Sequence, residues 1–368
     1  DCNAIIETAT GTLVSGCKNT VIPNGVTTIG KAAFLYCPSL TGIVIPEGVK
    51  TIGHGAFALC SNLEAIHTPS TLQSIEVNAF QTCSKLKEVT FSEGLSTIAE
   101  NAFDECSSLT SIHIPKSVIS IGEGAFMDCS ALTEISVAEG NTTYDSRNDC
   151  NAIIETATNT LVTGCNSTVI PTTVKTIGNR AFEGCTITDI EIPDDVEAIN
   201  GFAFSFNKSL KSIKLPESLK TLGYSVFSYC SNLQGMTLPQ GLTWIGSYAF
   251  NKCTNLTTLT VLMPTPADVT LDQGALASSS IATLYVPSGT RTLYRNANGW
   301  KSIKNILVRY DVNDDGYLNE EDVKALADYI MEKPPTGFVE SQADVTDDGM
   351  VNVADITALI NIIRGVMP

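Results

Sequence analysis

The sequence predicts a solenoid of stacked 23-residue coils, each adding one short parallel strand and a brief turn or 3-10 segment. A helical cap is expected to close it, with a small all-α module beyond. Three observations lead there. Phe34, Phe57, Phe80, Phe103 and Phe126 are each 23 residues apart, and Phe182, Phe204, Phe227 and Phe250 resume the rhythm at 22 or 23. Around each Phe recurs one phrase: Ile-Pro, a Val or Leu, Ile-Gly, Ala-Phe, then Cys, Leu and Ile-x-Ile-Pro. A fixed period arises because one coil cannot bury its own apolar face, whereas stacked coils bury one another's. Finally, residues 310–368 leave this rhythm and hold 13 acids against three bases.

Within a coil, Gly42–Pro46 reads as the strand, with alternate residues turned inward. Pro46 lacks the N–H that would extend a ladder, so the chain turns there. Val49 and Ile52 form a second apolar pair, and Ala56-Phe57 sits on the turn or 3-10 segment. Gly30, Gly53, Gly122, Gly178, Gly223 and Gly246 recur after the Ile or Leu, where a tight corner is expected to need positive φ. Residues 1–34 nearly duplicate 149–182, and each copy opens with a predicted hairpin. The second copy interrupts the rhythm between Phe126 and Phe182. The first lacks the lead-in seen at Tyr144–Asn148, so the native chain is expected to continue upstream of Asp1.

Eight of the 12 cysteines (Cys37, Cys60, Cys83, Cys106, Cys129, Cys185, Cys230 and Cys253) stand three residues after the Phe, where Asn207 replaces them once. They read as buried thiols acting as small hydrophobes. Cys2 with Cys17, and Cys150 with Cys165, lie at equal distances from their hairpin turns. Disulfides and free thiols are both open for these pairs.

From Asp311 the chain runs Asp-Val-Asn-Asp-Asp-Gly-Tyr-Leu-Asn-Glu-Glu-Asp. In a twelve-residue calcium loop this places oxygen donors at Asp311, Asn313, Asp315, Asn319 and Asp322, a main-chain carbonyl at Tyr317, and Gly316 at the bend. The pattern returns 33 residues later as Asp344, Thr346, Asp348, Gly349, Met350, Asn352 and Asp355. Two calcium sites are therefore expected. The second should be the weaker, because Thr346 is a poorer oxygen ligand than Asn313. Apolar residues at helical spacing follow each loop: Val323, Leu326, Ala327 and Ile330, then Ile356, Leu359, Ile360 and Ile363.

The repeated phrase resembles the BspA-type leucine-rich repeats of bacterial surface and secreted proteins, over roughly residues 1–305. The expected fold is thus a leucine-rich-repeat solenoid spanning 1–309. Val286-Pro287-Ser288-Gly289 through Tyr294, Ala297, Trp300 and Ile303 is similar to the cap that closes such arrays, here about 288–309. Residues 310–368, two loops each followed by one helix, resemble the dockerin module of bacterial extracellular complexes. That resemblance implies calcium binding and docking to a cohesin-like domain or surface scaffold. It also implies partner contacts at loop positions 10 and 11, here Glu320-Glu321 and Val353-Ala354. These differ between the halves, which argues against a symmetric dual binding mode.

The net charge of -17 disfavours nucleic acid as a partner, and no apolar run is long enough to span a membrane. His54, His67 and His113 form no metal cluster, and no phosphate loop or nucleophile motif occurs. The outward strand column (Val44, His67, Thr90, His113, Ser136, Glu191, Lys214, Thr237, Thr260 and Tyr285) is mixed and polar. A second column from Thr28 to Thr221 reads as a hydroxyl ladder, broken by Trp244. A non-enzymatic, secreted or cell-surface recognition protein with a protein ligand on the repeats is the leading expectation. The alternative is a carbohydrate-binding component of a glycan-processing complex, with Trp244 as a sugar platform.

Overall fold

A computed structural model describes residues 2–366. The repeats stack as a parallel β-solenoid of about 12 turns. The most continuous ladder is formed by the two-residue hydroxyl–Ile pairs: Thr28–Ile29, Thr51–Ile52, Ser74–Ile75, Thr97–Ile98 and Ser120–Ile121 pair in parallel, rung on rung. The hydroxyl column is therefore a strand column, in which each Ile turns inward while each Thr or Ser lines the surface. The predicted Ile-x-Ile strands form a second, interrupted column: Ala65–His67 with Glu88–Thr90, Ser111–Ile114 with Glu134–Val137, and Gly235–Leu238 through Asn305–Val308. Gly42–Pro46 is not a strand. One main-chain bond, Glu64 N–H to Thr41 O at 3.1 Å, ties that corner to the next coil.

Buried Phe rings hold the coils in register. Phe34, Phe57, Phe80, Phe103 and Phe126 stack at 5.0–5.4 Å, within 8° of parallel. Phe182, Phe204, Phe227 and Phe250 form a second stack at 5.1–6.0 Å. The cysteines add a rung of their own. Cys60, Cys83, Cys106 and Cys129 each donate Sγ–H to the Phe carbonyl of the preceding coil at 3.2–3.3 Å, and Cys230 and Cys253 do so at 3.1 and 3.0 Å. Asn207 makes the same reach, Nδ2 to Phe182 O at 2.6 Å. Thiols are weak donors, so packing supplies most of the stabilisation and the bond sets direction.

The recurring glycines serve a different purpose from the one expected. None of Gly30, Gly53, Gly122, Gly178, Gly223 and Gly246 has positive φ. They let neighbouring coils approach: a Cβ at Gly122 would stand 2.2 Å from Glu100 N, and one at Gly223 would stand 2.4 Å from Asn200 C. Positive φ falls instead on two residues flanking each Ala-Phe pair, such as Ala32 and Tyr36, or Phe202 and Phe206. These left-handed corners turn their side chains outward.

The repeated hairpins are present, with Ile5–Glu7 against Thr12–Ser15 and Ala152–Glu155 against Thr160–Gly164. Each contains a bulge, between Ile5 and Ile6 and between Ile153 and Ile154. The extra residue shifts register by one, so Cys165 lies opposite Asn151, its thiol 3.3 Å from Asn151 O, and not opposite Cys150. Cys17 likewise points to Asn3 O. All 12 cysteines are free thiols. The second hairpin divides the core: Ile153 packs with the N-terminal coils, and Ala152 and Ile154 with the C-terminal ones.

At the far end, helix α1 (Arg291–Asn296) and the turn at Trp300–Ser302 cover the last coil. Tyr294 and Trp300 are fully buried and meet edge to face, and Tyr294 Oη donates to Met263 O at 2.9 Å. Because the column glycines sit against main chain, Gly122→Ala should destabilise the solenoid by about 2 kcal/mol in urea unfolding. An unchanged midpoint would refute close coil approach as the reason for glycine there.

Candidate functional site

The C-terminal module consists of two loops, helix α2 (Glu320–Ile330) and helix α3 (Val353–Ile363). The helices pack through a small core of Val312, Ala325, Leu326, Ala343, Val345 and Leu359. Leu326 and Leu359, from the predicted apolar faces, are fully buried.

The loops share one hydrogen-bond pattern. Asp311 accepts from the N–H groups of Asp315 (3.1 Å) and Gly316 (2.8 Å), and Asp344 accepts from Asp348 (3.2 Å) and Gly349 (2.8 Å). Gly316 and Gly349 take φ of 92° and 83° at the bend. Asp322 accepts from Val312 and Asn319 N–H, both at 2.9 Å, so it ties the start of the loop to the start of α2. Asp355 does the same for α3 through Val345 at 2.9 Å and Asn352 at 2.8 Å. Asn319 and Asn352 also have a local role. Each uses its side-chain oxygen as helix N-cap, accepting from Glu321 N–H (2.7 Å) and Ala354 N–H (2.8 Å).

The donor set suits a hard divalent cation. Asp311, Asp322 and Asp355 are almost wholly buried. Burial pushes Asp311 and Asp322 above the usual carboxylate range, while in Asp355 the surrounding N–H and hydroxyl donors outweigh burial and hold it below. Buried carboxylates ask for positive charge, and Asp311 Oδ1, Asp322 Oδ2 and Asp355 Oδ2 each accept a single hydrogen bond and keep a second lone pair. Among the described residues no three Asp, Glu, His or Cys side chains converge by themselves. An ion would therefore also draw on Asn313 or Thr346 and on the carbonyls of Tyr317 or Met350, alongside Asp315 or Asp348. Thr346 already donates its hydroxyl to Asp355 at 3.0 Å. Glu320, Glu321, Val353 and Ala354 are all exposed in the first turns of the helices.

On the solenoid, Trp244 is half-buried, and its indole N–H donates to Asp272 at 3.0 Å, which fastens it to the next coil. His67 lies 3.1 Å from Thr90 Oγ1, and His113 lies 2.8 Å from Ser136 Oγ, each an exposed pair across adjacent coils. The surface that the sequence reading missed is the corner face. There Phe206 and Tyr229 stack at 4.7 Å while remaining 39% and 40% exposed, beside Tyr224 and Tyr248. Reading the column two places after each Phe would have found Tyr36, Phe206 and Tyr229. On the last two coils before the insertion the same column holds the acids Glu105 and Asp128. Arg180 joins the two regions, pairing with Glu123 (3.1 Å) and Glu183 (2.6 Å) and standing 4.4 Å over the Phe202 ring.

Two acids here are buried. Asp104 accepts from Gln81 at 2.8 Å and leaves its second oxygen without a partner. Burial pushes it up to about 6, and pushes Glu183 up to about 7 although Arg180 pulls back.

A family described as BspA type Leucine rich repeat region matches six copies over residues 15–133, 50–163 and 175–304, and the Dockerin type I domain matches 309–364. Among solved structures, a leucine rich cell surface protein from Faecalibacterium prausnitzii is 25% identical, with TM-score 0.60, over 77% of this chain and 80% of that one. The pneumococcal vaccine antigen PcpA is 21% identical, with TM-score 0.62, over 81% and 82%. A leucine-rich repeat protein from Bacteroides ovatus is 25% identical, with TM-score 0.50, over 77% and 65%. No curated protein sequence matches. No described helix is long and apolar enough to cross a membrane.

The folded values of Asp104 and Glu183 lie above their unfolded ones, so the stability these two groups contribute is full below about pH 4 and is lost as pH rises toward 7. Asp104→Asn should therefore raise stability at pH 7.5 by about 2 kcal/mol and change little near pH 4. Urea unfolding at both values checks this, and an equal effect at both would contradict it.

Proposed function

Since this chain belongs to the BspA-type leucine-rich repeat family, we propose that its solenoid is a non-enzymatic recognition surface on a secreted or cell-surface protein. In the same proposal its tail binds two calcium ions and docks to a cohesin-like partner. Such repeat families are extracellular or surface-bound as a rule, and a dockerin type I domain is a calcium-binding module. The expected donors are Asp311, Asn313, Asp315, Tyr317 and Asp322 in the first loop. Asp344, Thr346, Asp348, Met350 and Asp355 serve the second.

The observation that carries the recognition reading is the corner face. Exposed Phe206, Tyr224, Tyr229 and Tyr248 lie on adjoining coils, with Glu105 and Asp128 in the Phe206–Tyr229 column before the insertion. Tyrosine offers large contact area with few rotatable bonds and is enriched at protein interfaces. The neighbouring acids favour a partner with basic side chains. Exposed stacked rings also suit sugars, which keeps the glycan reading as the alternative, with Trp244 as its other candidate.

Two experiments test this. Calcium titrated into chelator-treated protein should give two binding events, the stronger lost in Asp311→Ala and the weaker in Asp344→Ala; absence of any binding heat defeats the metal reading. Protein and glycan arrays should show saturable protein binding that Tyr229→Ala weakens by about tenfold, as expected of an interface hot spot. Saturable glycan binding lost in Trp244→Ala would favour the alternative.

A further inference from the structure

The two loops share their internal pattern but differ in their neighbours. The first is built against the solenoid cap. Arg291, on α1, pairs with Asp311 at 3.4 Å and with the Asp314 carboxylate, and its second amino group donates to Asp314 O at 2.7 Å. Its side chain is 11% exposed. Gly316 O accepts from Gly289 N–H at 2.9 Å, and Leu318 N–H donates to Ser288 Oγ at 2.8 Å. Gly289 takes φ of 78°, and a Cβ there would lie 3.1 Å from the Tyr317 ring. Leu318 packs against the solenoid core and the module core together. Among the described residues no base pairs with Asp344, Asp347 or Asp348 in the second loop.

We infer that the first loop is the joint fastening the C-terminal module to the last coil, and that Arg291 is its resident counter-cation. The guanidinium offsets the repulsion of Asp311 and Asp314 without metal, so the joint stays closed when calcium leaves. The second loop has no such charge and is the metal-responsive half. A planar fork held against two carboxylates and a carbonyl suits this role, because it neutralises charge and fixes direction together. Metal loss then alters the outer surface of the module, around exposed Met350 and Val353, while the attachment to the repeats persists.

This inference rests on calcium occupying the loops. Amide hydrogen exchange on the full chain, with calcium and with chelator, tests both. On chelation the amides of residues 344–351 should exchange about tenfold faster or more, while those of 311–318 stay protected. Arg291→Gln should match the wild type in calcium, which establishes that it folds, and should open 311–318 on chelation. Arg291→Lys, which keeps charge without the fork, should fall between. Equal opening of both loops in the wild type, or an Arg291→Gln chain that behaves as wild type under chelator, overturns the joint alone. Chelation that changes neither loop overturns the joint and the calcium reading together.

Discussion

The stacking of one buried Phe per coil on the next is the contact on which the rest of the structure depends. Rings 5.0–5.4 Å apart and nearly parallel set the coil spacing in the N-terminal half. Everything else must then fit that distance. Glycine stands where a Cβ would strike main chain of the previous coil. Thiols stand where a small group must both pack and point at the preceding Phe carbonyl. The left-handed corners that seat each Phe turn their own side chains outward, so the recognition face is a by-product of how the core is built.

The inserted hairpin shows how an interrupted stack is repaired. No ring contact links Phe126 to Phe182 among the described residues, and Cys185 lacks the carbonyl bond of its fellows. In their place a two-sided strand buries Ile153 toward one half and Ala152 and Ile154 toward the other. Arg180 bridges the break outside, between Glu123 and Glu183. The solenoid's two buried acids, Asp104 and Glu183, lie near this seam.

The loops illustrate what local spacing can carry. Asp311 meets Gly316 and Asp344 meets Gly349 five residues on, and Asp322 closes back on Val312 across ten. Such contacts follow from the order of residues within a single turn. Asn319 was legible as a polar position, yet its role as N-cap depends on where α2 begins. The joint was not legible at all, because Arg291 and Asp314 are 23 residues apart and meet only after the cap helix has docked.

By itself the sequence determined the coil period, the inward Phe, Cys and Ile positions, and the repeated Asp–Gly–Asp spacing of both loops, since each depends on spacing within one repeat or one turn. Tertiary structure decided what those positions touch. Ile5 and Ile153 occupy the same place in duplicate hairpins, yet Ile5 is 65% exposed and Ile153 is fully buried. A bulge decided that Cys150 and Cys165 do not face each other. Burial, register and charge pairing belong to the neighbour as much as to the residue, and neighbours in a solenoid are a coil away along the chain.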